Sequence, residues 1–214
     1  MDDRIIRYTT LGDEASAEIE EKKSIFIGHA APIETEAEAL AYIKAKKAEF
    51  SDARHNVYAY LLDHGAVARC SDDGEPQGTA GVVLLDVLKK NGVTNAVIVV
   101  TRYFGGILLG AGGLVRAYSA AAKAAVQAAK IATVEQHILF SVACSYGEFP
   151  KLKKEFARLG AIEEGVSFGE TVEISATIRS EAYGGVDSFL SEFSAGRLSA
   201  AKQGVVYRKN SETV

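Results

Sequence analysis

Hydrophobic and polar positions change period several times along the chain. Ser16–Ile19 and Ser24–Ile27 read as two short strands around the charged Glu20–Lys23, an edge hairpin that Pro32 brings to an end. Thr35, with Glu38 three residues later, is a capping-box signature. It predicts a helix to about Phe50, marked by Leu40, Ile43 and Phe50. Val57–Leu62 and Ala66–Cys70 predict a second hairpin around Asp63-His64-Gly65. Pro76, at a tolerated first-turn position, opens the next helix, which runs through Val82, Leu85 and Leu88 to the stop at Asn91-Gly92. The apolar run within Asn95–Thr101 predicts a strand buried on both faces. A Gly-rich loop and a long Ala-rich helix, Gly112–Lys130, follow.

The second half repeats a different order. Ile138–Cys144 is a strand, and Pro150 starts a helix with Phe149, Leu152, Phe156 and Leu159 on one face, ending at Gly160. Ala161–Phe168 and the alternating Val172, Ile174, Ala176 and Ile178 are two strands. A helix through Val186, Phe189, Leu190 and Phe193 stops at Gly196, and a last strand carries Val205 and Tyr207. The order is βαββαβ, the ferredoxin-like plan. The class is therefore α+β with two domains, residues 1–134 and 135–214, divided near Val134.

Composition narrows the function. The 24 basic and 28 acidic side chains give a net charge of -4, which excludes attachment to nucleic acid by bulk charge and leaves room for a local basic patch. The N-terminus lacks the apolar core of a signal peptide, and no apolar run is long enough to span a membrane. Cys70 and Cys144, far apart, read as reduced thiols of a cytoplasmic protein, and no zinc-ligand spacing occurs. Of the 20 glycines, nine lie between Gly74 and Gly113, which singles out that stretch for chemistry.

The segment from Thr101 to Arg116 holds five of them: Gly105, Gly106, Gly110, Gly112 and Gly113. A strand, a Gly-rich loop and a helix start together make an anion site, because the first helical N–H groups lack internal partners. Arg102 and Arg116 flank the loop as forked phosphate donors, and Tyr103 and Phe104 offer faces to a base. The bland alternative is that these glycines only allow tight packing. No Gly-Lys-Ser/Thr follows, so the loop is not a Walker P-loop, and the dinucleotide fingerprint is absent.

Asp72, Asp73 and Glu75 put three carboxylates at a helix start, suited to a general base or Mg²⁺, and equally to capping the helix and its turn. Gly78 and Thr79 fall in the expected first turn. His55 is an acid–base or phosphate-contact candidate, and Lys22 a phosphate contact from the first hairpin. Lys151, Lys153, Lys154 and Arg158 form a basic helix face in the second domain. No metal site or cofactor is implied.

The stretches Asp72–Gly81 and Val99–Tyr118, with Lys22–Phe26 and Ala53–Ala59, resemble the hallmarks of the YigZ/IMPACT family. The resemblance implies a first domain, an α/β sandwich, like the second domain of ribosomal small-subunit protein five, and a ferredoxin-like second domain. It implies translation regulation through RNA or ribosome contact, and identifies no catalytic residues. Eukaryotic members carry an additional N-terminal RWD domain that has no counterpart here, so their partner interactions do not transfer. The expected partner is RNA or the ribosome, with a protein partner for the C-terminal domain as an alternative. An enzyme acting on a phosphorylated small molecule or nucleotide is the other reading.

Overall fold

A computed structural model describes residues 7–211. The opening residues of the segment read as free of a signal peptide, 1–6, lie outside the described residues. In chain order the elements are β1 (Arg7–Leu11), β2 (Ala15–Glu21), β3 (Ser24–Pro32), α1 (Glu36–Glu49), β4 (His55–Leu62), β5 (Val67–Ser71), α2 (Gly81–Lys90), β6 (Ala96–Tyr103) and α3 (Ala111–Ala129). They continue with β7 (Ile131–Cys144), α4 (Phe149–Arg158), β8 (Ile162–Phe168), β9 (Val172–Arg179), α5 (Tyr183–Ser194) and β10 (Ala201–Ser211). The mixed α+β, two-domain architecture is as expected from the sequence. Contacts divide the chain into one unit containing Tyr8–Thr133 and another containing Val134–Arg208.

The first unit is built on an antiparallel sheet in the order β2-β3-β6-β4-β5. Central β6 is buried on both faces: Ile98 and Val100 join the α2 and α3 side, Val97 and Val99 the α1 side. The Ala-rich composition of α3 lets it lie close on β3. A Cβ at Gly28 would come within 2.5 Å of the Ala121 carbonyl oxygen. At α1, Thr35 Oγ1 accepts from the Glu38 amide (3.2 Å), and Glu38 reaches back to the Glu34 amide (2.7 Å), one residue before the cap. Ala39 and Ile43 are buried there, whereas Leu40, expected on the apolar face, is exposed.

Helix α2 starts at Gly81, five residues after Pro76. Positive φ at Gly78 (76°) breaks the helical path over the intervening stretch. Gly78 and Thr79 therefore lie in the preceding loop instead of a first turn. Strand β7 begins at Ile131, seven residues before the predicted start, and β1 went unread from the sequence.

The second unit takes the βαββαβ order as β7-α4-β8-β9-α5-β10, with strands side by side as β10-β7-β9-β8. Phe140, Val142, Ile174 and Ile178 form its core with Leu152 and Phe156 of α4 and Val186 and Leu190 of α5. Among the described residues, no helix is long and apolar enough to cross a membrane.

Candidate functional site

The Gly-rich loop rests on the first hairpin. Lys22 and Lys23 form its turn, both in the left-handed region (φ 48° and 63°), which lysine rarely adopts. Gly105 sits against that turn so closely that a Cβ would lie 2.0 Å from the Lys23 carbonyl, and its amide donates to Ser24 Oγ (3.1 Å). Only glycine permits this approach. The loop then runs out through Ile107 and Leu108, the latter 82% exposed, and turns into α3 at Gly110 (φ 72°). Gly110 has no side chain to cap α3, so the amides of residues 111–113 face outward from the helix end. Gly113 packs on Leu109, and Gly112 faces the exposed Arg116. Lys22, Lys23 and Phe104 are exposed beside the same loop.

Arg102 lies elsewhere than expected. It continues the inward row Ile98, Val100, and its side chain is 8% exposed. Its guanidinium donates to Glu75 Oε1 (2.6 Å) and lies between the rings of Phe26 (5.4 Å) and Phe104 (5.7 Å). Register explains the gathering: Phe26 on β3 and His55 on β4 are the cross-strand neighbours of Arg102. Tyr118 of α3 also donates to Glu75 Oε1 (2.8 Å), and burial followed by the Glu75 charge pushes its hydroxyl far up, keeping it a donor. His55 Nε2 is 3.8 Å from the same oxygen, while Nδ1 is 2.8 Å from the Asp73 carbonyl oxygen. The Asp73 carboxylate accepts from the Asn56 amide (2.7 Å) and from Lys47 Nζ (2.5 Å).

His55, Asp73, Glu75 and Arg102 are thus brought together, with Lys47 and Tyr118 as members the sequence reading missed. The four-residue step from Leu114 to Tyr118, both buried, was the available signal for Tyr118. Asp72 has a different task. One of its oxygens accepts from the Ala80 and Gly81 amides (3.1 and 2.8 Å), the other from Gly78 (2.9 Å), so it caps α2 across its own loop. Thr79 Oγ1 donates to the Pro76 carbonyl inside this loop. Tyr103 points to Asp52 (2.8 Å), and that hydrogen bond raises its pKa.

In the second unit, Lys153 pairs with Glu163 and Arg158 with Glu155, while Lys151 and Lys154 are exposed. Among the described residues, no cluster of three or more His, Cys, Asp or Glu is arranged to hold a metal ion.

Comparison with known proteins places these features in a family. A family model described as the Impact N-terminal domain matches residues 22–126, spanning the hairpin turn, the Asp72–Gly81 loop and the Gly-rich loop. A domain of unknown function (DUF1949) matches residues 142–197. The chain is 34% identical to the IMPACT family member YvyE of Bacillus subtilis over 89% of its length and 88% of that protein. It is 46% identical to the IMPACT family member YigZ of Escherichia coli over 45% of this chain and 49% of that one. A crystal structure described as a hypothetical protein superposes with a TM-score of 0.59 at 28% identity, covering 92% of this chain and 98% of the other. With sequence similarity carried through nearly the whole length of YvyE, the chain belongs to the IMPACT family.

Proposed function

We propose that this protein binds RNA, on the ribosome, as a cytoplasmic regulator of translation. The observation that carries this reading is the seating of Gly105 on the Lys22–Lys23 turn. It sets exposed lysines beside the half-exposed ring of Phe104 and the uncapped start of α3, near Arg116. Cations, a ring and outward amides are the parts with which a protein holds a phosphate backbone and stacks a base. Arg102 supports Phe104 from beneath and is not itself a phosphate ligand, since its guanidinium is engaged by Glu75. With a net charge of -4, affinity rests on these local contacts and falls steeply with salt.

The test is binding of labelled RNA and of purified ribosomes from about 50 to 300 mM salt. Lys22→Ala and Arg116→Ala each weaken binding and lower the salt slope by about one. Absence of binding at low salt, or unchanged binding in both variants, overturns the reading.

The approach of His55 to Glu75 favours a second reading, an enzyme acting on a phosphorylated small molecule or nucleotide. Turnover in a phosphoester panel with Mg²⁺, abolished by His55→Ala, would establish it in place of the first.

A further inference from the structure

The second unit holds a cavity that the RNA-binding surface does not use. It lies between α4 and the β8–β9 hairpin and has a volume of about 270 Å³. Its floor is the apolar core itself: Phe156, Ile174 and Ala176, all nearly fully buried. Its walls are the small side chains of Ala157 and Ala161, where larger residues would close the space. The rim carries one charge of each sign. Lys153 Nζ lies 3.2 and 3.0 Å from the two Glu163 oxygens, with these side chains about half exposed.

We propose that this cavity binds a free apolar α-amino acid. The volume equals roughly nine water molecules, enough to admit one leucine or methionine, about six waters in size, with room for water beside it. An apolar floor gains from an alkyl side chain more than from water. The rim selects the head group. A ligand carboxylate takes Lys153 and its ammonium takes Glu163, so both charges stay paired when the ligand enters. A fatty acid would set its carboxylate against Glu163, and an alkylamine would set its ammonium against Lys153. The existing Lys153–Glu163 pair is solvent-exposed and contributes little by itself, so exchanging it for the zwitterion costs little.

The experiment is calorimetric and thermal-shift titration of the full chain with L-leucine. Glycine, 4-methylpentanoate and isoamylamine are the controls, lacking in turn the side chain, the ammonium and the carboxylate. L-leucine binds saturably at one site per chain and raises Tm, and each control binds at least about tenfold more weakly. Glu163→Gln and Lys153→Met, both surface changes that leave the fold intact, weaken leucine by at least about tenfold. Ala157→Leu fills the cavity with a good helix former and abolishes binding without lowering Tm. The proposal is overturned by no saturable binding up to about 10 mM leucine, by 4-methylpentanoate matching leucine, or by unchanged affinity in the rim variants.

Discussion

Arg102 donates to Glu75 at 2.6 Å with both side chains more than nine-tenths buried. The pair joins the loop before α2 to the central strand β6, and Tyr118 ties α3 to the same carboxylate. A buried charge left without its partner is strongly unfavourable. Arg102→Ala or Glu75→Ala is expected to destabilise the first unit by about 3–5 kcal/mol. Tyr118→Phe, which removes one hydrogen bond and keeps the ring, is expected to cost about 1–2 kcal/mol. Urea unfolding followed by circular dichroism measures all three. Equal, small effects would show the pair to be expendable.

Two neighbouring glycines separate close approach from backbone conformation. At Gly105 an added methyl meets the Lys23 backbone, and something must move. At Gly106 the space is open and only the positive φ (84°) opposes a side chain. Gly106→Ala is expected to cost about 1–2 kcal/mol and Gly105→Ala distinctly more. Thermal melts rank them, and the reverse order would contradict the packing described.

A buried histidine sets a pH window. His29 lies 2.8 Å from Ser16 Oγ through Nδ1 and packs on Phe50, while Nε2 is buried without a partner. Burial first, and the Lys46 charge second, lower its pKa from 6.5 to about 4. Between those values the unfolded chain binds the proton and the folded chain does not, so stability falls as pH drops. The contribution is complete above about pH 6.5 and declines by on the order of 3 kcal/mol on reaching pH 4. In His29→Gln the difference between urea midpoints at about pH 4.5 and 7.5 should shrink. An unaltered difference would remove His29 as a source of the slope.

Period and punctuation made much of the fold legible in the sequence. The continuous apolar run identified β6, and the Gly160 and Gly196 stops bounded the helices of the second domain. The start of α2 was misplaced because Pro76 suits a first helical turn and a loop turn equally. What settles it is Asp72 bonding to amides six to nine residues ahead, and local propensity does not register that distance. The candidate site was half legible. The motif stretches contain most of the residues that the fold gathers around Glu75, but the sequence suggests Arg102 as a phosphate donor flanking the loop. Its two-residue step from Val100 already put it on the buried face, next to an acid whose strand and helix partners only the register reveals.

The two glycine-rich stretches are held in place within the fold itself. Asp72 holds the amides of Gly78, Ala80 and Gly81, and Ser24 with the Lys23 backbone holds Gly105. Glycine loses the most backbone freedom on folding, so these segments lose much of theirs when the chain folds. The proposed RNA contact would then have little left to order at Gly105 itself, and its entropic penalty would concentrate in the exposed lysine and arginine side chains around it.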